Sequence, residues 1–188
     1  DVVYAIEFIK ALTVFQLLDD NSKRVLASSA LISSNYTTAF YSYSKGADRT
    51  LYPDGSVMKW SAELQEQSPD STRFHTGLIA AMREAQLDRR EYTLLKMIMI
   101  CNPILDGIRP HDAALLQQEK ERCTKTLFSY VLARRGASEG AAFFAKILSI
   151  VDVATKLTSW QKSSHILVMA MGLYKNRTPF AETIFHSQ

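Results

Sequence analysis

The sequence predicts an all-α fold, a three-layer helical sandwich relieved by one small β-hairpin. Three features point there. Val25 to Ser44 runs twenty residues without a formal charge, in a chain where 22% of residues are charged. As a helix it is roughly 30 Å long and has no charged side to give to water, so other helices must enclose it. Apolar residues before and after it recur at helical spacing. Only Thr50 to Met58, with a Tyr-Pro-Asp-Gly turn between Leu51 and Val57, reads as strand and turn.

Ala5, Phe8, Ile9 and Leu12 make residues 1–13 the end of an amphipathic helix, and Phe15, Leu17 and Leu18 extend its apolar surface through a short connection. Asp19, Asp20 and Asn21 supply N-caps for the central helix. Small residues within it, from Ala27 to Ala30 and at Ser33, Ser34, Thr37 and Thr38, let neighbours approach, and their hydroxyls can bond carbonyls one turn back. Leu26, Leu31, Ile32, Tyr36, Phe40 and Tyr43 fill the space between layers.

Beyond the hairpin, Trp60 to Leu64 reads as a helical turn ending in the loop at Ser68 and Pro69. Ser71 caps a helix reaching Ala85, with Phe74, Leu78, Ile79 and Met82 on one face. Asp88 caps the next, a strongly buried segment holding Tyr92, Leu95, Met97, Ile98 and Ile100 that stops before Pro103. A long helix follows from His111 to Arg135, its basic end suiting the negative pole of its own dipole ahead of Gly136. The last helix runs from Ser138 to Tyr174, long enough that a bend near Ser163 and Ser164, or an interface along part of it, is expected. Glu91, Lys96 and Arg135 read as exposed ion-pairing residues. After Lys175 to Thr178, Pro179 opens a short amphipathic tail from Phe180 to Phe185.

The 188 residues make one domain, able to bury around 70% of its unfolded surface without staples. A net charge of +3, with basic residues mixed among acids, provides no stripe for a phosphate backbone. Cys101 and Cys123 lack CxxC spacing and a histidine partner, which points to free thiols in a reducing compartment. Neither a signal peptide nor a membrane span is expected, the hydroxyl-rich central helix being too polar to cross a bilayer. No cysteine, histidine or Gly-rich loop falls in a catalytic motif, so neither an enzyme nor a metal site is expected. Asp1 falls inside a helical pattern, so the chain looks trimmed at its start.

The order of these elements resembles the ligand-binding domain of nuclear hormone receptors, beginning within its third helix. Phe8-Ile9-Lys10-Ala11-Leu12, followed by Phe15 and Leu18, is similar to the signature that ends that helix, and Ser22-Lys23 before Leu26 continues it. Glu91-Tyr92-x-x-Leu95-Lys96, then Pro103 and Gly107-Ile108, resembles the eighth-helix motif of the hepatocyte-nuclear-factor-4-like subgroup. Phe144-Ala145-Lys146-Ile147-Leu148 matches the start of the tenth helix, and the spacing from there to Phe185 needs no gap. Ala39 to Tyr43 and the Tyr52 to Gly55 turn are similar to the expanded nematode receptors of that subgroup.

The resemblance implies an antiparallel three-layer sandwich spanning residues 1–188, a terminal activation helix at about 179–186 and no enzymatic activity. It implies no cofactor, an apolar or fatty-acid-like ligand, a coactivator or corepressor helix as partner, and a homodimer or receptor heterodimer through the helix from Ser138. It also implies nuclear location, with DNA contacted only through a separate zinc domain. The coactivator groove then maps to Ile6, Lys10, Lys23, Arg24, Ala27, Ser28, Phe180, Glu182 and Thr183. Lys10 matches one clamp residue, but Glu182 stands one position early, about a 100° turn on a helix, and Thr183 takes the clamp position. Weak or atypical coactivator docking is the expectation. The pocket maps to Ile9, Phe40, Tyr43, Leu51, Phe74, His165, Ile166 and Met169, with Ile6 and Phe180 contributing. The alternative is a ligand-independent domain for dimerisation or corepressor docking, favoured by the aromatic-rich middle.

Overall fold

The structure, a computed structural model, describes residues 2–58 and 70–170. Seven helices follow in order: α1 (Val2–Lys10), α2 (Thr13–Leu17), α3 (Asp20–Ala27), α4 (Ala30–Ser44), α5 (Asp70–Glu84), α6 (Arg89–Ile100) and α7 (Pro110–Ala170). The sandwich is present, with α4 at its centre, α1 against one side and α5, α6 and α7 against the others. Trp60 to Leu64, the loop at Ser68 and Pro69, and everything after Ala170, including the tail from Phe180 to Phe185, lie outside the described residues.

The uncharged stretch is not one rod. Its first part belongs to α3, and a tight turn at Ser28 and Ser29 separates α3 from α4. There the backbone shifts to bonds from residue i to i−3, Ser28 N–H to Val25 O and Ser29 N–H to Leu26 O, each at 3.0 Å. Two small residues with competing hydroxyls resist such tightening poorly. Within α4 the hydroxyls bond backwards as anticipated: Thr37 to Ser33 O at 2.7 Å and Ser42 to Thr38 O at 2.9 Å.

Asp19 caps α3, accepting from Ser22 N–H at 2.8 Å. Asp88 caps α6 in a reciprocal box with Glu91, at 2.8 and 2.9 Å. Ser71 is no N-cap, because α5 already begins at Asp70. Phe15 and Leu18 are buried, whereas Leu17 points to solvent. The hairpin reduces to a single antiparallel bridge, Leu51 to Val57, closed by Gly55 N–H to Tyr52 O at 2.8 Å. Ser42 Oγ accepts from Leu51 N–H at 2.9 Å and ties the hairpin to α4.

In α7 the break falls at Gly136 (φ 79°, ψ 163°), and no non-helical residue interrupts it at Ser163 or Ser164. Those dihedrals lie in a region essentially reserved for glycine, so the deflection is set where the backbone alone permits it. Arg134 and Arg135, just before it, do not serve their own helix. Arg135 Nη2 donates to Ala85 O and Gln86 O, at 2.9 and 3.0 Å, and so caps the C-terminus of α5.

Both arginines also meet Glu91, Arg134 at 2.8 Å and Arg135 at 3.8 Å. The trio read as exposed ion pairs is therefore corrected: the Glu91 side chain is 0% exposed and that of Arg135 7%, and Lys96 is not a member. Five residues on a helix rotate the side chain by about 140° from Glu91, which carries Lys96 to another face of α6.

The main core joins Tyr36, Leu78, Met82, Leu95, Leu127, Ile147 and Leu157 from α4 to α7, and a second cluster around Ile9, Leu26, Ile100 and Leu116 packs α1 down.

Candidate functional site

Among the described residues, three clefts flank α4. The smallest, 130 Å³, lies among α4, the hairpin, α5 and α7 and is lined by Ser34, Asn35, Thr38, Ala39, Thr50, Met58, His75 and Gln161. Its polar groups form a directed chain. Thr158 Oγ1 donates to Ala154 O at 2.8 Å, so it accepts from Asn35 Nδ2 at 3.2 Å. The same Asn35 nitrogen donates to Gln161 Oε1 at 2.6 Å. That turns Gln161 Nε2 towards His75 Nε2, 3.5 Å away, and assigns the imidazole proton to Nδ1. Burial pushes the His75 pKa down to about 4, so the ring is neutral at pH 7. This cavity offers neutral donors and acceptors and no charge.

The second cleft, 400 Å³, opens between α1, α4 and the hairpin. Its walls are Tyr4, Ala5, Thr37, Thr38, Tyr41, Leu51, Pro53 and Lys96. The third, 620 Å³, runs between the α3–α4 turn, α6 and α7, over Ile32, Ile98, Met99, Leu148 and Val151, with Lys120 and Lys162 among its lining residues.

The sequence-predicted pocket residues are distributed differently. Ile9 is fully buried in the second core cluster, in filled space. Phe40 stacks on Tyr92, centroids 4.0 Å apart, and lies 6.0 Å from Tyr43. Phe74 packs 5.9 Å from Trp160. Leu51 lines the 400 Å³ cleft. His165 and Met169 are half-buried on α7, and Ile166 is exposed. None of the eight lines the 130 Å³ cavity. Asn35, His75 and Gln161, which do, each follow or precede an aromatic residue whose bulk marks it as core, and their own sequence signal is an amide or imidazole on an otherwise apolar helical face.

Of the groove residues, Ile6 and Lys10 lie on α1, and Lys23, Arg24 and Ala27 on α3, two helices that pack together. Lys10 pairs with Glu7 at 2.8 Å, and Lys23 lies 3.7 Å from Asp20. Ser28 is buried and lines the 620 Å³ cleft. Phe180, Glu182 and Thr183 lie outside the described residues. Cys101 and Cys123 are buried free thiols, and burial pushes Cys101 up to about 12, which makes it a poor nucleophile.

Residues 1–170 match the model of the ligand-binding domain of nuclear hormone receptor. The chain belongs to the nuclear hormone receptor ligand-binding domain family. Similar relatives are nuclear hormone receptor family members of Caenorhabditis elegans. One, nhr-153, is 29% identical over 93% of this chain and 43% of its own length. Another, nhr-154, is 27% identical over 85% of this chain and 35% of its own, and nhr-136 is 28% identical over 88% and 39%. The receptor domain thus spans less than half the length of these relatives. Among its described residues no helix is long and apolar enough to cross a membrane.

Proposed function

We propose that this chain is the ligand-binding and coregulator-recruiting domain of a nuclear transcription factor of the hepatocyte-nuclear-factor-4-like type, with DNA contact left to a separate zinc domain. The observation that supports it best is the enclosure of the uncharged α4 by α1, α5, α6 and α7, with cavities left along its flanks. An apolar ligand acts by population shift, closing a tail helix at about 179–186 only by as much as it binds the closed state better. The closed tail completes, with Lys10 and the α1–α3 surface, a groove for a short coregulator helix. The helix from Ser138 provides the dimer surface.

A second reading has a specific observation behind it. The 130 Å³ cavity is well below the roughly 300–1,000 Å³ of ordinary ligand pockets, and the Tyr36, Phe40 and Tyr92 rings stack where a ligand body could otherwise sit. That favours a ligand-independent module for dimerisation or corepressor docking.

Mass spectrometry of lipids that copurify, with thermal shift against a fatty-acid and sterol panel, separates the two. A copurifying lipid and a raised Tm support the switch; an empty protein unmoved by the panel supports the ligand-independent module. Binding of a leucine-rich helical peptide, weakened by Lys10→Ala, tests the groove.

A further inference from the structure

The 620 Å³ cleft has no part in the ligand switch or in the α1–α3 groove. Its longest wall is one face of α7, where Leu148, Val151, Thr155, Ser159 and Lys162 recur at helical spacing over roughly 21 Å at 1.5 Å per residue. Ile32 of α4 and the buried Ile98 and Met99 of α6 make an apolar floor, and the loop after α6 contributes Ile104 and Leu105. Ile104 lines this groove and is nevertheless 84% exposed. A large aliphatic side chain left in water at the edge of an apolar groove marks a surface that a partner covers.

The charge of the groove is one-sided. Lys120, from the part of α7 before the Gly136 break, and Lys162, from the part after it, both line it, and among the described residues no carboxylate does. Acids close by in sequence are engaged by basic neighbours, Glu119 by Arg122 at 2.9 Å and Asp152 by Lys156 at 2.7 Å. The groove therefore presents apolar surface between two cations.

Its walls also limit what form the occupant takes. The helices α4, α6 and α7 satisfy their backbone N–H and C=O groups internally and offer no edge on which a strand could pair, so the occupant must satisfy its own backbone, as a helix does. A second copy of this chain is a poor fit, because a two-fold contact centred here sets the same lysines against each other.

We propose that the groove between the α3–α4 turn, α6 and α7 docks an acidic amphipathic helix of a partner protein, with its apolar stripe on Ile32, Met99 and Val151 and its carboxylates facing Lys120 and Lys162. No residue of α1 lines the site, and it does not depend on Lys10 or on the ligand switch.

Fluorescence anisotropy tests it with a synthetic helical peptide of about fifteen residues, which matches the length of the α7 wall, carrying leucines at i, i+3, i+4 and i+7 between glutamates. Wild-type protein binds this peptide more tightly than a scrambled one of the same composition, and the affinity falls as salt is raised. Lys120→Glu combined with Lys162→Glu weakens binding by at least about fivefold and reverses the preference towards the same peptide with lysines in place of glutamates, a reversal that damage to the fold cannot produce. Thr155→Trp, at an exposed position on the wall, abolishes binding, whereas Lys10→Ala leaves it unchanged. Equal affinity for the scrambled peptide, no reversal in the double variant, or loss in Lys10→Ala instead of Thr155→Trp overturns the site, and the last result returns the peptide to the α1–α3 surface. A changed sedimentation coefficient of peptide-free Thr155→Trp protein overturns it as well, since a second copy is then the occupant.

Discussion

Arg134 Nη1 lies 2.8 Å from Oε2 of Glu91, a carboxylate with no exposed surface that also faces Arg135 Nη2 at 3.8 Å. Through this pair the start of α6 is tied to the residues before the α7 break, and Arg135 continues the tie to the end of α5. Three elements therefore depend on one carboxylate. Glu91→Ala leaves the buried Arg135 unpaired and should cost about 3–5 kcal/mol. Glu91→Gln, which keeps an acceptor, should cost less. Urea unfolding of the three proteins measures both.

The glycines of α5 and α7 divide sharply. A Cβ on Gly140 would stand 2.7 Å from Leu132 Cδ2 and 3.1 Å from its Cα, and backbone cannot yield as a side-chain tip does. Gly140→Ala should therefore destabilise by about 1–3 kcal/mol, despite the helix propensity gained. Gly136→Ala should also lose stability, by strain at φ 79°. Gly77, inside α5 with nothing within 4 Å of a built Cβ, is the control: Gly77→Ala should stabilise by about 0.5–1 kcal/mol. Thermal unfolding of the three variants should give two lowered midpoints and one raised.

Acid should weaken the fold through His75. Its folded pKa is about 4 against 6.5 for the free side chain, so between those values the unfolded chain binds a proton that the folded one refuses. Stability is complete above pH 6.5 and falls as pH drops towards 4, by up to about 3 kcal/mol at 1.36 kcal/mol per unit. Asp19, held low chiefly by the N–H of Ser22, adds its loss only below the ordinary carboxylate value of 3.8. Unfolding free energies at pH 7, 5.5 and 4.5 should decline for the wild type and stay nearly level for His75→Gln.

The polar chain across the small cavity should be cooperative. Asn35→Ala removes the donor that serves both Gln161 Oε1 and Thr158 Oγ1, leaving buried acceptors at a cost of about 1–3 kcal/mol. Nitrogen-15 shifts of the His75 ring should report a protonated Nδ1 and a bare Nε2 in the wild type at pH 7, and mixed tautomers in Asn35→Ala.

Local rules made much of the molecule legible in advance. Caps at Asp19 and Asp88 satisfy orphan N–H groups within three residues of themselves, and the Tyr52 to Gly55 turn and the stripes of α5 to α7 are equally local. The charge-free run declared that α4 is enclosed, because no partner is needed to know that a helix without a polar face avoids water. What α4 is enclosed by, and with what gaps, was settled only when distant segments met. The service Arg135 gives to α5 and the burial of Glu91 both arise from contacts between residues dozens of positions apart. Periodicity reports which face is apolar; it carries no information on whether two such faces close completely, and a cavity is the remainder when they do not.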